Sequence, residues 1–213
     1  MAGGRSVMPL AEQERAELAE LLHGLAPGQW DAPTLCTGWT VRDVVAHVLS
    51  YEERGPVGLA WCFARGRGSF DRTNAVAMAD YADHGPDELL ALLERSLRPR
   101  GLTTMLGGRI GLTDAMIHQQ DIRRPLGLPR RIPGESLVVV LDLARFAPPL
   151  DSRARLRGLR LRATDLDWTA GDGDEVSGPG EALLMAMAGR GVALDELTGP
   201  GLPVLVQRIR PTS

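Results

Sequence analysis

At Ala147-Pro148-Pro149 the apolar rhythm of this chain changes, and the change limits the folds open to it. Upstream, apolar residues recur at helical spacing between Pro and Gly breakers. Downstream, Leu156, Leu159, Leu161 and Ala163 alternate with Arg at the period of a half-buried strand. The expectation is an α+β chain in two parts: a helical bundle over residues 1–148 and a small α/β domain over residues 149–213. A length of 213 residues is enough for both to bury a core.

The first helix is predicted over Met8–His23, with Leu10, Leu18, Leu21 and Leu22 on one face. Turn-forming residues fill 26–33, and Cys36-Thr37-Gly38-Trp39 continues the loop. Thr40 and Asp43 then make a capping-box-like pair ahead of Val44-Val45-Ala46, which marks the start of a second helix. That helix is expected to run to about Glu53, with Gly55-Pro56 as a kink or stop before 57–63 continues helically. Further helical pieces are expected over 74–82 and 86–97, another helix runs from roughly Leu102 or Gly111 to Arg123 and is closed by Pro125 and Gly127, and a last long one spans 134–146. In the second part Gly171-Asp172-Gly173-Asp174 reads as a hairpin turn and 175–178 as the returning strand. A helix over 179–188 and a final strand over 203–209 complete the reading.

The balance of 24 basic and 27 acidic residues gives a net charge of -3, which argues against a nucleic-acid footprint or an anionic membrane surface and favours small-molecule partners. Cys36 and Cys62 are too few for a disulfide framework, so a reducing cytoplasm is expected. The first ten residues lack the apolar run of a secretory signal, and no stretch approaches the roughly 20 apolar residues that span a bilayer. A soluble cytoplasmic protein follows as the expectation.

Asp114 and His118 are four residues apart on one helix and so share a face, where both can reach one ion. His47 lies on an otherwise apolar face beside Val44, Val48 and Leu49, where a buried imidazole needs a polar partner. Two imidazoles and a carboxylate suit zinc or a similar divalent metal, with a further position left for water or substrate. The same spacing also suits a solvated pair or a hydrogen bond. His23 and His84 read as ordinary surface residues. Asp121 either orients His118 or pairs with Arg123 or Arg124. No His or Asp stands beside Cys36 or Cys62 at a motif-like spacing, so both read as small apolar filling, and Trp30 and Trp39 read as clamps for their loop.

Two runs carry a family resemblance. Trp30-Asp31-Ala32-Pro33-Thr34-Leu35-Cys36-Thr37-Gly38-Trp39-Thr40-Val41-Arg42-Asp43-Val44-Val45-Ala46-His47 is similar to the mycothiol-dependent maleylpyruvate isomerase family, a branch of the DinB-like metal-binding bundles. Asp114-Ala115-Met116-Ile117-His118-Gln119-Gln120-Asp121-Ile122-Arg123-Arg124-Pro125-Leu126-Gly127 resembles its second signature. Asp165-Leu166-Asp167-Trp168, Gly178-Pro179, Ala188-Gly189-Arg190 and Leu197-Thr198-Gly199 are similar to members with a small sterol-carrier-like domain.

The resemblance implies a DinB-like four-helix bundle holding one divalent metal, usually zinc, at His47, Asp114 and His118, with Asp114 one methylene shorter than the family's usual Glu. It implies a low-molecular-weight thiol such as mycothiol as cosubstrate, and a small electrophile that is isomerised or S-conjugated. It also implies a substrate-binding Arg, for which Arg208 is the match. A metal- or ligand-binding accessory protein without turnover is the alternative.

Overall fold

The computed structural model describes residues 6–52, 54 and 56–209. Glu53 and Gly55, the expected end of the second helix and its kink, lie outside the described residues. The chain divides into two compact units, 1–129 and 130–213.

In the first unit α1 (Met8–His23), α2 (Val41–Ser50), α5 (Pro86–Arg95) and α6 (Arg109–Leu126) form the bundle, because α1 and α2 each pack against both α5 and α6. Their inward stripes meet in one core that contains Leu18, Leu22, Val44, Val48, Leu89, Leu93 and Ile122, with Trp30 buried against them. Full burial of such a side chain is worth about 1.5–3 kcal/mol relative to exposure. α3 (Pro56–Arg65) packs on α4 (Phe70–Met78), and α4 packs on α2. The segments ending α2 and α5 are joined by a buried polar knot. Glu52, beyond the end of α2, pairs with Arg15 of α1 and accepts from the Thr103 hydroxyl at 2.7 Å and the Arg100 amide at 2.7 Å. Arg15 also donates to the Ser96 carbonyl at 2.8 Å.

The second unit starts with α7 (Gly134–Ala144), and here the division departs from the expected one at 148. α7 is helical as expected, yet it packs on α9 (Gly180–Met187), and its Asp142 accepts from the Trp168 indole at 3.0 Å. Helical periodicity marks a buried face but not which core receives it. α9 is buried along its whole length and is the centre of this unit, between α7 and a three-stranded sheet. The sheet consists of β1 (Leu159–Ala163), β2 (Thr169–Ala170) and β3 (Asp174–Gly178) in the order β2-β1-β3. β1 alternates as the sequence requires, with Leu159, Leu161 and Ala163 buried and the two Arg residues exposed.

Two expectations about this sheet are corrected. The 171–174 turn does not join neighbours in a hairpin: β2 pairs antiparallel with one edge of β1, and β3 pairs parallel with the other. The connection wraps the start of β1 so tightly that a Cβ on Gly171 would stand 2.3 Å from the Leu159 carbonyl oxygen, and one on Gly173 would stand 2.2 Å from that of Gly158. Both residues also have positive φ, so glycine is required twice over. The last segment is a helix, α10 (Leu202–Ile209), rather than a strand. Its apolar residues Leu202, Leu205 and Ile209 fall on one helical face, a spacing that β-branched Val204 and Val206 mask in so short a run. α8 (Ser152–Leu156) packs against α9 and α10. No helix among the described residues is long and apolar enough to cross a membrane.

Candidate metal centre

Two local devices bring His47 into the bundle. The turn Cys36-Thr37-Gly38-Trp39 closes with a bond from the Trp39 amide to the Cys36 carbonyl at 2.9 Å and places Gly38 at φ 79, a conformation glycine adopts without strain. Thr40 then caps α2: its hydroxyl accepts from the Asp43 amide at 3.3 Å, and the Asp43 carboxylate accepts from the Thr40 amide at 2.8 Å. This capping box is the one read from the sequence, and it fixes where the α2 turns begin and therefore which face carries His47. Thr40→Ala is expected to cost about 1 kcal/mol, measured as a lower urea midpoint at unchanged m-value. α6 enters from Gly108 and leaves through Gly127, both in the left-handed region, and presents Asp114 and His118 on one face.

The structure brings His47, Asp114 and His118 together, with one ligand atom from each within 4.8 Å of the others. Asp114 Oδ1 stands 3.5 Å from His47 Nε2 and 3.6 Å from His118 Nε2. These separations are long for hydrogen bonds. They match two ligands of one tetrahedral ion, which stand about 3.3 Å apart when each bond is about 2.0–2.1 Å. The imidazole centroids are 4.7 Å apart. His47 Nδ1 and Asp114 Oδ2 are buried and meet no hydrogen-bond partner among the described residues. A buried acceptor left unsatisfied costs about 1–3 kcal/mol, so an oxygen held this way beside two imidazoles fits a cation better than it fits a packing role.

Protonation follows from the surroundings. Burial holds His47 below its ordinary value, against the polar contact with Asp114, so its imidazole is neutral at pH 7. Burial acts to raise Asp114, but His47 and the neighbouring imidazole charge outweigh it and hold the carboxyl below the usual range. Burial acts to lower His118, yet Asp121, Cys36 and Asp114 outweigh it and push the imidazole up to about 10. Tyr51 is pushed up to about 12 by burial and by Asp114; its ring meets His47 edge-on at 5.4 Å, and its hydroxyl bonds Asn74.

Several neighbours were misassigned or missed in the sequence. Asp121 orients His118: its Oδ2 lies 3.0 Å from Nδ1, while Arg123 is turned toward Gln119 and the Leu128 carbonyl. Cys36 is not apolar filling, because its Sγ donates to the same Asp121 oxygen at 3.1 Å and lies 3.7 Å from His118 Nδ1. The Trp39 ring is 5.0 Å from that of His47 and 6.4 Å from that of His118, so this residue walls the cluster, whereas Trp30 is the clamp. His23 pairs with Glu94 at the surface. Arg208 sits on α10 in the second unit, where its guanidinium donates to the Arg155 and Arg157 carbonyls at 2.7 Å and closes the end of α8.

Fold and cluster together define a class: an α+β protein whose N-terminal helical bundle gathers two imidazoles and a carboxylate from facing helices. Residues 11–100 match the family model of the mycothiol maleylpyruvate isomerase N-terminal domain. The match includes His47 and ends before Asp114 and His118. Among solved structures, a histidine-to-alanine mutant of the mycothiol-dependent maleylpyruvate isomerase aligns with TM-score 0.57 and 18% identity, over 91% of each chain. Another structure of the mycothiol-dependent maleylpyruvate isomerase aligns with TM-score 0.51 and 16% identity, also over 91% of each chain. At these identities the likeness is one of fold. No curated protein sequence matches the chain.

Proposed function

We propose that this protein is a metal- and thiol-dependent isomerase that binds one divalent ion, zinc, through His47, Asp114 and His118. The observation that carries the reading is the pair of Nε2 atoms at 3.5 and 3.6 Å from one carboxylate oxygen whose twin is buried without a partner among the described residues. Bound there, the ion would supply the positive charge that keeps a low-molecular-weight thiol, mycothiol, ionised at neutral pH. The chain's own residues do the rest. Asp121 holds the His118 ring with Nε2 toward Asp114, His47 remains neutral and available, and Trp39 gives the cluster an apolar wall.

The thiolate adds to one carbon of a conjugated double bond in a small unsaturated acid, the former double bond rotates as a single bond, and elimination restores both the double bond and the thiolate. Nothing is oxidised or reduced. Two cysteines in 213 residues fit a reducing cytoplasm as the place of work. Arg208 enters this scheme as a closing residue of α8 rather than as a substrate clamp.

The test is conversion of maleylpyruvate in the presence of mycothiol, followed by proton NMR. A sulfur-free trans product is expected, with turnover lowered about a hundredfold or more in His47→Ala. A product that keeps the sulfur identifies an S-transferase instead, and binding of metal and thiol without turnover identifies an accessory protein.

A further inference from the structure

Loop 32–40 reaches the metal cluster from behind. Its Leu35 amide donates to the Asp121 carbonyl at 3.1 Å, a bond between the loop and α6. Thr34 braces the loop from inside, with its hydroxyl donating to the Trp39 carbonyl at 2.9 Å and accepting from the Cys36 amide at 3.2 Å. The outcome is a thiol placed against a fully buried carboxylate: Asp121 has no side-chain exposure, and its Oδ2 is within 3.1 Å of Cys36 Sγ and 3.0 Å of His118 Nδ1.

We infer that Cys36 is a positioning residue for His118, acting through Asp121. The reading rests on His118 as a metal ligand. A thiol S–H is a weak donor, but to an ionised carboxylate it makes a charge-assisted bond, and the second donor on the same oxygen is the His118 ring. With both donors converging on Oδ2, Asp121 has one orientation, His118 carries its proton on Nδ1, and Nε2 is left for the ion. An apolar filler at position 36 would take one donor from that oxygen and leave a void beside it. The cysteine therefore belongs to the support of the ring, 82 residues away from it in sequence.

Cobalt titrations of the purified full chain test this, read by the d–d absorption of the bound ion for the unmodified protein, Cys36→Ala and Cys36→Ser. Cys36→Ala is expected to bind about tenfold more weakly with an altered d–d envelope, the size of loss typical when a partner behind a metal ligand is removed. Cys36→Ser keeps a hydroxyl donor and is expected to restore affinity to within about threefold. Circular dichroism of the metal-free variants confirms that folded proteins are compared. Equal affinity in Cys36→Ala and the unmodified chain overturns the inference, as does a Cys36→Ser that binds as weakly as Cys36→Ala. Cys36, His118 and Asp121 also lie within ligand-to-ligand range of one another, so two ions per chain falling to one in Cys36→Ala overturns it in favour of Cys36 as a ligand. An unmodified chain that binds no cobalt overturns the metal reading itself, a result distinguishable from all of these.

Discussion

Glu52→Leu is expected to destabilise the protein by about 3–5 kcal/mol and to lower Tm by about 10 °C or more. Arg15 and Glu52 form an ion pair with almost no exposure on either side chain. Removing the carboxylate strands the Arg15 charge inside the bundle and also takes the acceptor from the Thr103 hydroxyl and the Arg100 amide. Arg15→Met is expected to cost less, because Glu52 keeps those two donors. The double replacement is expected to recover a large part of the Glu52→Leu loss, since apolar side chains of similar size can replace a buried pair with little penalty. Urea unfolding of the three variants checks this, and equal losses in the two single variants would contradict it. The pair contributes little as attraction alone; its place at the meeting of α1, the ends of α2 and α5 and the approach to α6 is what makes its loss severe.

The second large effect is on metal loading with pH. In the metal-free protein Asp114 is ionised, His47 is neutral and His118, pushed up to about 10, carries a proton that must leave before Nε2 can bind an ion. Loading at pH 7 is therefore expected to release about one proton, and apparent affinity is expected to rise about tenfold per pH unit from 7 until the His118 value is approached. Below the lowered His47 value a second proton competes, and the slope steepens. Calorimetry in two buffers of different ionisation enthalpy gives the proton count, and a count near zero would contradict this assignment. The metal-free fold should respond in the opposite sense. A histidine raised from about 6.5 to about 10 contributes stability that is present below pH 6.5 and fades as pH rises through 10.

The sequence revealed elements whose signals are local. Thr40 and Asp43 mark the start of α2 three residues apart, Gly127 marks the end of α6, and Asp114 and His118 share a face by spacing alone. His47 was legible because an imidazole among Val44, Val48 and Leu49 has no apolar purpose. Relations between distant segments were not legible. Nothing near Cys36 in sequence announces Asp121, 85 residues on, because the contact depends on where the loop docks on α6. The helical pattern of α7 says which face is buried but not that Trp168 and α9 receive it, so the expected boundary at 148 and the division at 129 differ. β2 is two residues long, too short to show a period, and the wrap of 171–173 around β1 depends on contacts with Gly158 and Leu159 that no turn rule contains.

The central claim, one ion held by two bundle helices, is tested most directly by metal analysis of the purified chain beside His118→Ala. The expected result is about one zinc per chain in the unmodified protein and less than about a tenth of that in the variant, since a site reduced to one imidazole and one carboxylate lacks the three protein ligands such an ion requires. Equal metal content in the two proteins, or none in the unmodified chain after expression with zinc supplied, would contradict it.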